Sequence, residues 1–146
     1  MTVSKEKITQ ASKGYLADTG TAKGRGIFAA SDIQAGEIVE ICPVLKIDIS
    51  KGKLPAELSL VVFHWDALAG TTGIRAVALG YGGLYNHGNP ANCRYSPSAC
   101  GGYLIVTAVK NILENNEITI NYNDTRGAPE SSQDNWFENV GVKALD

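Results

Sequence analysis

Sixteen glycines are spread along this chain, and the stretches between them are short and rich in Val, Ile, Thr and Tyr. Those residues suit a pleated, half-buried surface, while Gly, Asn, Asp and Pro punctuate turns. The pattern predicts short strands at Tyr15–Ala17, Gly26–Ala29, Ile38–Val44, Leu60–Trp65, Ala76–Leu79, Tyr103–Val109 and Ile118–Asn121. Helical signal is slight. Only Pro55-Ala56-Glu57-Leu58 reads as a short turn of helix, with Pro near the first helical position. A length of 146 residues suits one domain with a real core, here expected to span residues 1–146 with its body at about 14–124. The stretch from Thr125 to Gln133 is polar and reads as a loop, and Trp136 and Phe137 beyond it are apolar enough to dock back on the domain.

Composition removes several classes of function. A net charge of −2 gives no basic excess for non-specific nucleic-acid binding. Residues 1–10 are polar and charged, with no apolar run like a signal peptide, and no stretch has the length of a membrane span. These features lead to the expectation of an intracellular protein, cytoplasmic or nuclear, with no membrane partner. Cys42, Cys93 and Cys100 are odd in number, widely spaced and without a Cys-x-x-Cys or Cys/His pairing. They are expected to be reduced and structural or incidental, with no metal site. His64-Trp65-Asp66 matches no catalytic arrangement and reads as structural.

The chain also carries a faint internal echo. Asp32-Ile33-Gln34-Ala35-Gly36-Glu37-Ile38 is similar to Asn111-Ile112-Leu113-Glu114-Asn115-Asn116-Glu117-Ile118. Both read as tight turns re-entering a strand on Glu-Ile, with Gly36 or Asn116 accepting a positive φ.

Three segments carry most of the functional information. Lys23-Gly24-Arg25-Gly26 is a Gly-x-Gly turn leading into a strand; alone it is an ordinary hairpin turn, and it lacks the third glycine and helix of a dinucleotide fingerprint. Tyr85-Asn86-His87-Gly88-Asn89-Pro90-Ala91-Asn92-Cys93 is too rich in Asn, Gly and Pro for a regular element, and alone reads as a surface turn with a structural histidine. Glu117-Ile118-Thr119-Ile120-Asn121-Tyr122 alternates like a half-buried strand, and a tyrosine ending it is commonly core. In order and spacing, the three resemble the signature segments of SET-domain protein-lysine methyltransferases, in a small form without zinc-binding flanking segments.

The resemblance implies a mostly β, β-clip-like SET fold of short antiparallel sheets with knotted C-terminal threading and little helix. It implies S-adenosylmethionine as cofactor, S-adenosylhomocysteine as product, and the ε-amine of a lysine in a protein substrate as methyl acceptor. Gly24, Arg25 and Gly26 would meet the methionine part of the cofactor, Asn86 its amino-group region, and the His87 backbone its adenine. Asn92 would brace the chain crossing. Tyr122 would stand at the methyl-transfer centre, and Tyr95 would control how many methyl groups are added, with monomethylation favoured. Trp136 and Phe137 would close the substrate channel. A homodimer is a further expectation, and direct nucleic-acid binding is not expected. Three positions depart from the family pattern: Gly88 stands where Ser is usual, Pro90 lies one position early, and Asn121 replaces the frequent Asp. The competing readings are a SET-like binding module without catalysis and an unrelated small β-domain that binds nucleic acid through its tyrosines.

Overall fold

The computed structural model describes residues 8–122 of the chain. Two strands, β1 (Gly14–Asp18) and β2 (Arg25–Ala29), form an antiparallel hairpin. The main sheet has five strands in the order β4 (Val62–His64), β5 (Ile74–Ala78), β3 (Ile38–Asp48), β8 (Tyr103–Ala108), β7 (Cys93–Pro97), and every neighbouring pair is antiparallel. A third sheet joins β6 (Asn86–His87) to β9 (Thr119–Ile120), and these two run parallel. The core lies between the sheets and is built from Ile27, Val39, Trp65, Leu104, Val106, Ile118 and Ile120, all at most 1% exposed.

The predicted strands all recur, with shifted ends, and β3 runs four residues further than expected because Leu45–Asp48 pairs with β5. The expected helical turn is present as a 3₁₀ turn at Ala56–Leu58. One expectation needs correction and one strand was missed. Trp65 does not end a strand; it opens a five-residue helix, α1 (Trp65–Ala69), which Gly70 closes in the left-handed region with φ 71°. The aromatic and β-branched run before it hid the helix formers Ala67, Leu68 and Ala69. β7, the segment after Asn92, is a strand that was not among those predicted. β7 tolerates Pro97 because it is an edge strand, where a missing N–H costs no ladder bond.

The internal echo is a structural pair. Ile33 and Ile112 exchange both backbone hydrogen bonds at 2.8 Å. The side chain of Asp32 accepts from the Glu114 N–H at 2.8 Å, and that of Asn111 accepts from the Ala35 N–H at 2.9 Å. Equivalent residues of the two turns therefore cap each other reciprocally. The residue with positive φ opposite Gly36 is Asn115, with φ 69°, and not Asn116.

His64-Trp65-Asp66 is structural as expected. Asp66 accepts from the Thr71 hydroxyl at 2.8 Å and from the backbone N–H groups of Gly73 and Ile74 at 2.9 and 3.0 Å. These bonds hold its carboxyl below the usual range and fix the turn into β5. All three cysteines are unbridged; Cys42 and Cys93 are buried and Cys100 is exposed. Among the described residues, no helix is long and apolar enough to cross a membrane.

Candidate active site

The site forms where the parallel pair meets the β1–β2 hairpin. The hairpin turn closes through the Gly24 carbonyl, which accepts from the Thr19 backbone N–H at 2.7 Å, with Gly24 at φ 75°. β2 then runs directly beside the C-terminal segment: Ile118 N–H donates to the Ile27 carbonyl at 2.8 Å, and Phe28 bridges to Glu117. Gly26 is glycine for a steric reason. A Cβ there would stand 2.5 Å from Glu117 Oε2 and 2.8 Å from Asn86 Nδ2. Those two side chains meet over it, with Asn86 Nδ2 donating to Glu117 Oε2 at 2.8 Å and to the Arg25 carbonyl at 2.9 Å. The structure thus brings Gly24, Arg25, Gly26 and Asn86 together, and adds Glu117.

Asn92 holds the crossing. Its side chain donates to the Glu117 carbonyl at 2.8 Å and accepts from Thr119 N–H at 2.8 Å, while its own N–H reaches the Thr119 hydroxyl at 3.2 Å. Early placement of Pro90 therefore leaves Asn92 in its bracing position. The Gly88 departure also has a local cause: a Cβ at that position would lie 2.8 Å from the Thr119 side chain.

His87 is 5% exposed, and its Nδ1 accepts from the Tyr122 backbone N–H at 3.1 Å. That bond places the imidazole proton on Nε2 and commits Nδ1, so the ring is a structural support for Tyr122. The two rings lie 5.3 Å apart, tilted by 55°. The His87 carbonyl, expected to face adenine, receives Lys23 Nζ at 3.3 Å. The Tyr122 hydroxyl donates to the Tyr85 carbonyl at 2.7 Å. Burial, together with the Glu117 carboxylate, pushes that hydroxyl up to about 12.

Tyr95 also reaches the site. Its ring is 6% exposed, its hydroxyl donates to the Asn121 carbonyl at 3.0 Å, and Phe63 packs edge-on against it at 5.6 Å. Trp136 and Phe137 lie outside the described residues.

Sequence reasoning missed Glu117, Tyr85 and Phe63. Glu117 and Tyr85 open the two signature segments, but nothing local marks a first residue as a contact when its partners lie 31 or more positions away. Among the described residues Glu117 forms no ion pair, in contrast to Glu37 with Lys13 and Asp66 with Arg75. A carboxylate beside a glycine turn, with no ion pair among the described residues, fits a ligand with a cationic centre, which S-adenosylmethionine has.

Comparison with known proteins agrees with this geometry. The SET domain family model matches residues 24–123. A curated relative from Schizosaccharomyces pombe, "Histone-lysine N-methyltransferase, H3 lysine-37 specific", is 30% identical over 122 residues, covering 84% of this chain and 76% of its own. A Plasmodium falciparum structure named for a histone methyltransferase superposes with a TM-score of 0.62 at 28% identity, covering 77% of this chain and 95% of that one. A Chaetomium thermophilum polycomb repressive complex 2, bound to S-adenosylmethionine, shares the fold with a TM-score of 0.61 at 23% identity. The match covers 80% of this chain and 16% of that one.

Proposed function

The chain belongs to the SET-domain family, and from that premise we propose how its own residues carry out the reaction. The enzyme transfers a methyl group from S-adenosylmethionine to a lysine of a protein substrate. The cofactor supplies, when bound, a methyl group on a positively charged sulfur that a lysine amine displaces. Gly24, Arg25 and Gly26 hold its methionine part through the hairpin backbone, with Asn86 and Glu117 at its cationic end. The His87 backbone, whose carbonyl here receives Lys23 Nζ, would hold the adenine. S-adenosylhomocysteine would be the product.

Tyr122 orients the reacting groups. With its hydroxyl held near 12, it keeps its proton at neutral pH and acts as a donor, not as a base. His87 is excluded as a base because its Nδ1 already accepts from Tyr122. A lysine amine has an ordinary pKa of about 10.4 and must lose its proton to react. The Tyr95, Phe63 and Tyr122 rings supply an apolar wall that disfavours the ammonium form, and the proton leaves to water. Trp136 and Phe137 are proposed, on the family resemblance, to complete the channel. Catalysis is then orientation and electrostatics, without a dedicated base.

The single observation that carries this reading is the convergence of Gly26, Asn86, Glu117, His87 and Tyr122 on one parallel strand pair. The substrate class proposed is a histone-tail lysine, on the strength of the S. pombe relative's name, and a nuclear location follows from that substrate. Self-pairing into a dimer is proposed on the family resemblance. The domain is proposed to occupy about residues 14–124, closed by residues 125–146. Two measurements test the whole: calorimetry with S-adenosylmethionine in the presence of a chelator, and mass spectrometry of recombinant core histones after reaction. Binding without metal and new lysine methylation are expected. A folded protein that gives no heat at saturating cofactor would overturn the pocket assignment.

A further inference from the structure

Glu40 is a carboxylate with 4% exposure, and among the described residues it forms no ion pair. A buried charge without a cation is costly unless its oxygens are fully hydrogen-bonded. Each oxygen of Glu40 has one such bond: Oε1 accepts from the Tyr85 hydroxyl at 2.6 Å, and Oε2 accepts from the Tyr81 N–H at 3.1 Å. The register of β3 against β8 slips between Ile38 and Glu40, so Val39 and Glu40 both point inward where a regular strand would alternate. Space is reserved as well, because any side chain at Gly80 would run into Glu40 Oε2. Tyr85 is itself 1% exposed, and its hydroxyl also bonds the Ser12 hydroxyl at 2.8 Å. Its carbonyl is the acceptor of the Tyr122 hydroxyl.

A bulge, a glycine and two short hydrogen bonds thus converge on one ring whose backbone receives the catalytic hydroxyl. We propose that Glu40 is a positioning residue for methyl transfer: by clamping the Tyr85 hydroxyl it fixes the carbonyl that aims Tyr122. The inference rests on the assignment of Tyr122 to the methyl-transfer centre. It adds a buried group of the five-stranded sheet, 45 residues away from Tyr85, to the machinery of the site.

The test compares Glu40→Leu, Glu40→Gln, Tyr85→Phe and Tyr122→Phe, each checked for folding by circular dichroism. In protein isotope-labelled at the hydroxyl-bearing tyrosine carbon, the Tyr122 resonance is assigned by its loss in Tyr122→Phe. It should move in Glu40→Leu and Tyr85→Phe and return in Glu40→Gln, which keeps an acceptor for Tyr85. With recombinant core histones as methyl acceptors, Glu40→Leu and Tyr85→Phe should lower kcat about tenfold and leave KM for S-adenosylmethionine within about twofold. Combined with Tyr122→Phe, neither should add more than about twofold, because their effect ends at the hydroxyl already removed. Should Glu40→Leu fail to fold, the near-isosteric Tyr85→Phe carries the comparison, and the resonance decides even where no histone is methylated. An unmoved resonance, or wild-type kcat in folded Tyr85→Phe beside an impaired Tyr122→Phe, overturns the role of Glu40 alone. Wild-type kcat in Tyr122→Phe overturns the assignment of Tyr122 itself, and Glu40 with it.

Discussion

Single atoms set the chemistry of this site. Removing the Tyr122 hydroxyl keeps the ring, its packing on His87 and the backbone bond to Nδ1. Tyr122→Phe should therefore stay folded while methyl transfer falls at least about tenfold, roughly 1.4 kcal/mol of barrier; single-turnover rates measure it. Tyr95 carries the other hydroxyl near the centre, bonded to the carbonyl of the residue before Tyr122. Tyr95→Phe should raise the di- and trimethyl share, read from mass spectra of a peptide at long reaction times; an unchanged distribution in an active variant removes Tyr95 from that role. Gly26→Ala would force a methyl group onto Asn86 and Glu117. The ends of those two side chains can give way, so the fold should hold while their mutual bond is displaced, and cofactor affinity, read by calorimetry, should fall more than about tenfold.

Strands and turns decide what sequence reading could and could not reach. The long strands were legible because β-branched and aromatic runs between turn residues carry their own signal, as in β2, β3 and β8. β7 was hidden by the Asn-Pro-rich loop before it and by Pro97 at its end, since its place at a sheet edge is a tertiary fact. α1 was hidden by the apolar run preceding Trp65. Tyr122, Asn86 and the glycine turn were legible only as an ordered set, since each alone has an ordinary structural explanation. Glu117 and Glu40 were not legible at all, because their meaning lies in partners 31 and 45 positions away. Asn92 shows the same dependence at the level of a crossing. Its amide satisfies the Glu117 carbonyl and the Thr119 N–H at once. Asn92→Ala should destabilise the protein by about 1–3 kcal/mol through those unpaired groups, visible as a lower urea midpoint with an unchanged slope.

For the whole molecule, burial of acidic hydroxyl and thiol groups has a sign that can be checked. Cys93 is pushed from an ordinary 9.0 up to about 12 by burial, and Tyr122 from 10.0 up to about 12. Cys42 and Tyr85 shift upward for the same reason, reinforced by the nearby Glu40. A raised folded-state value means that the neutral form is favoured by the fold. That contribution is intact below the unfolded values of 9.0 and 10.0 and is lost as the pH rises towards about 12. Urea midpoints should hold as the pH approaches 9.0 and then fall steadily; a midpoint still flat at pH 11, about one unit above the unfolded tyrosine value, would contradict the burial of these groups.

The parallel pairing of β6 with β9 also has a consequence in time. β9 lies after every strand of the five-stranded sheet in chain order. A growing polypeptide that has emerged from the ribosome through β8 holds the complement of that sheet, yet it lacks Glu117, Thr119 and Tyr122. Local hairpins can close early, whereas a pairing across 33 positions must wait for its second strand. If Glu117 and Tyr122 serve as proposed, competence to bind and to transfer comes in one late step, after the main sheet has its full set of strands.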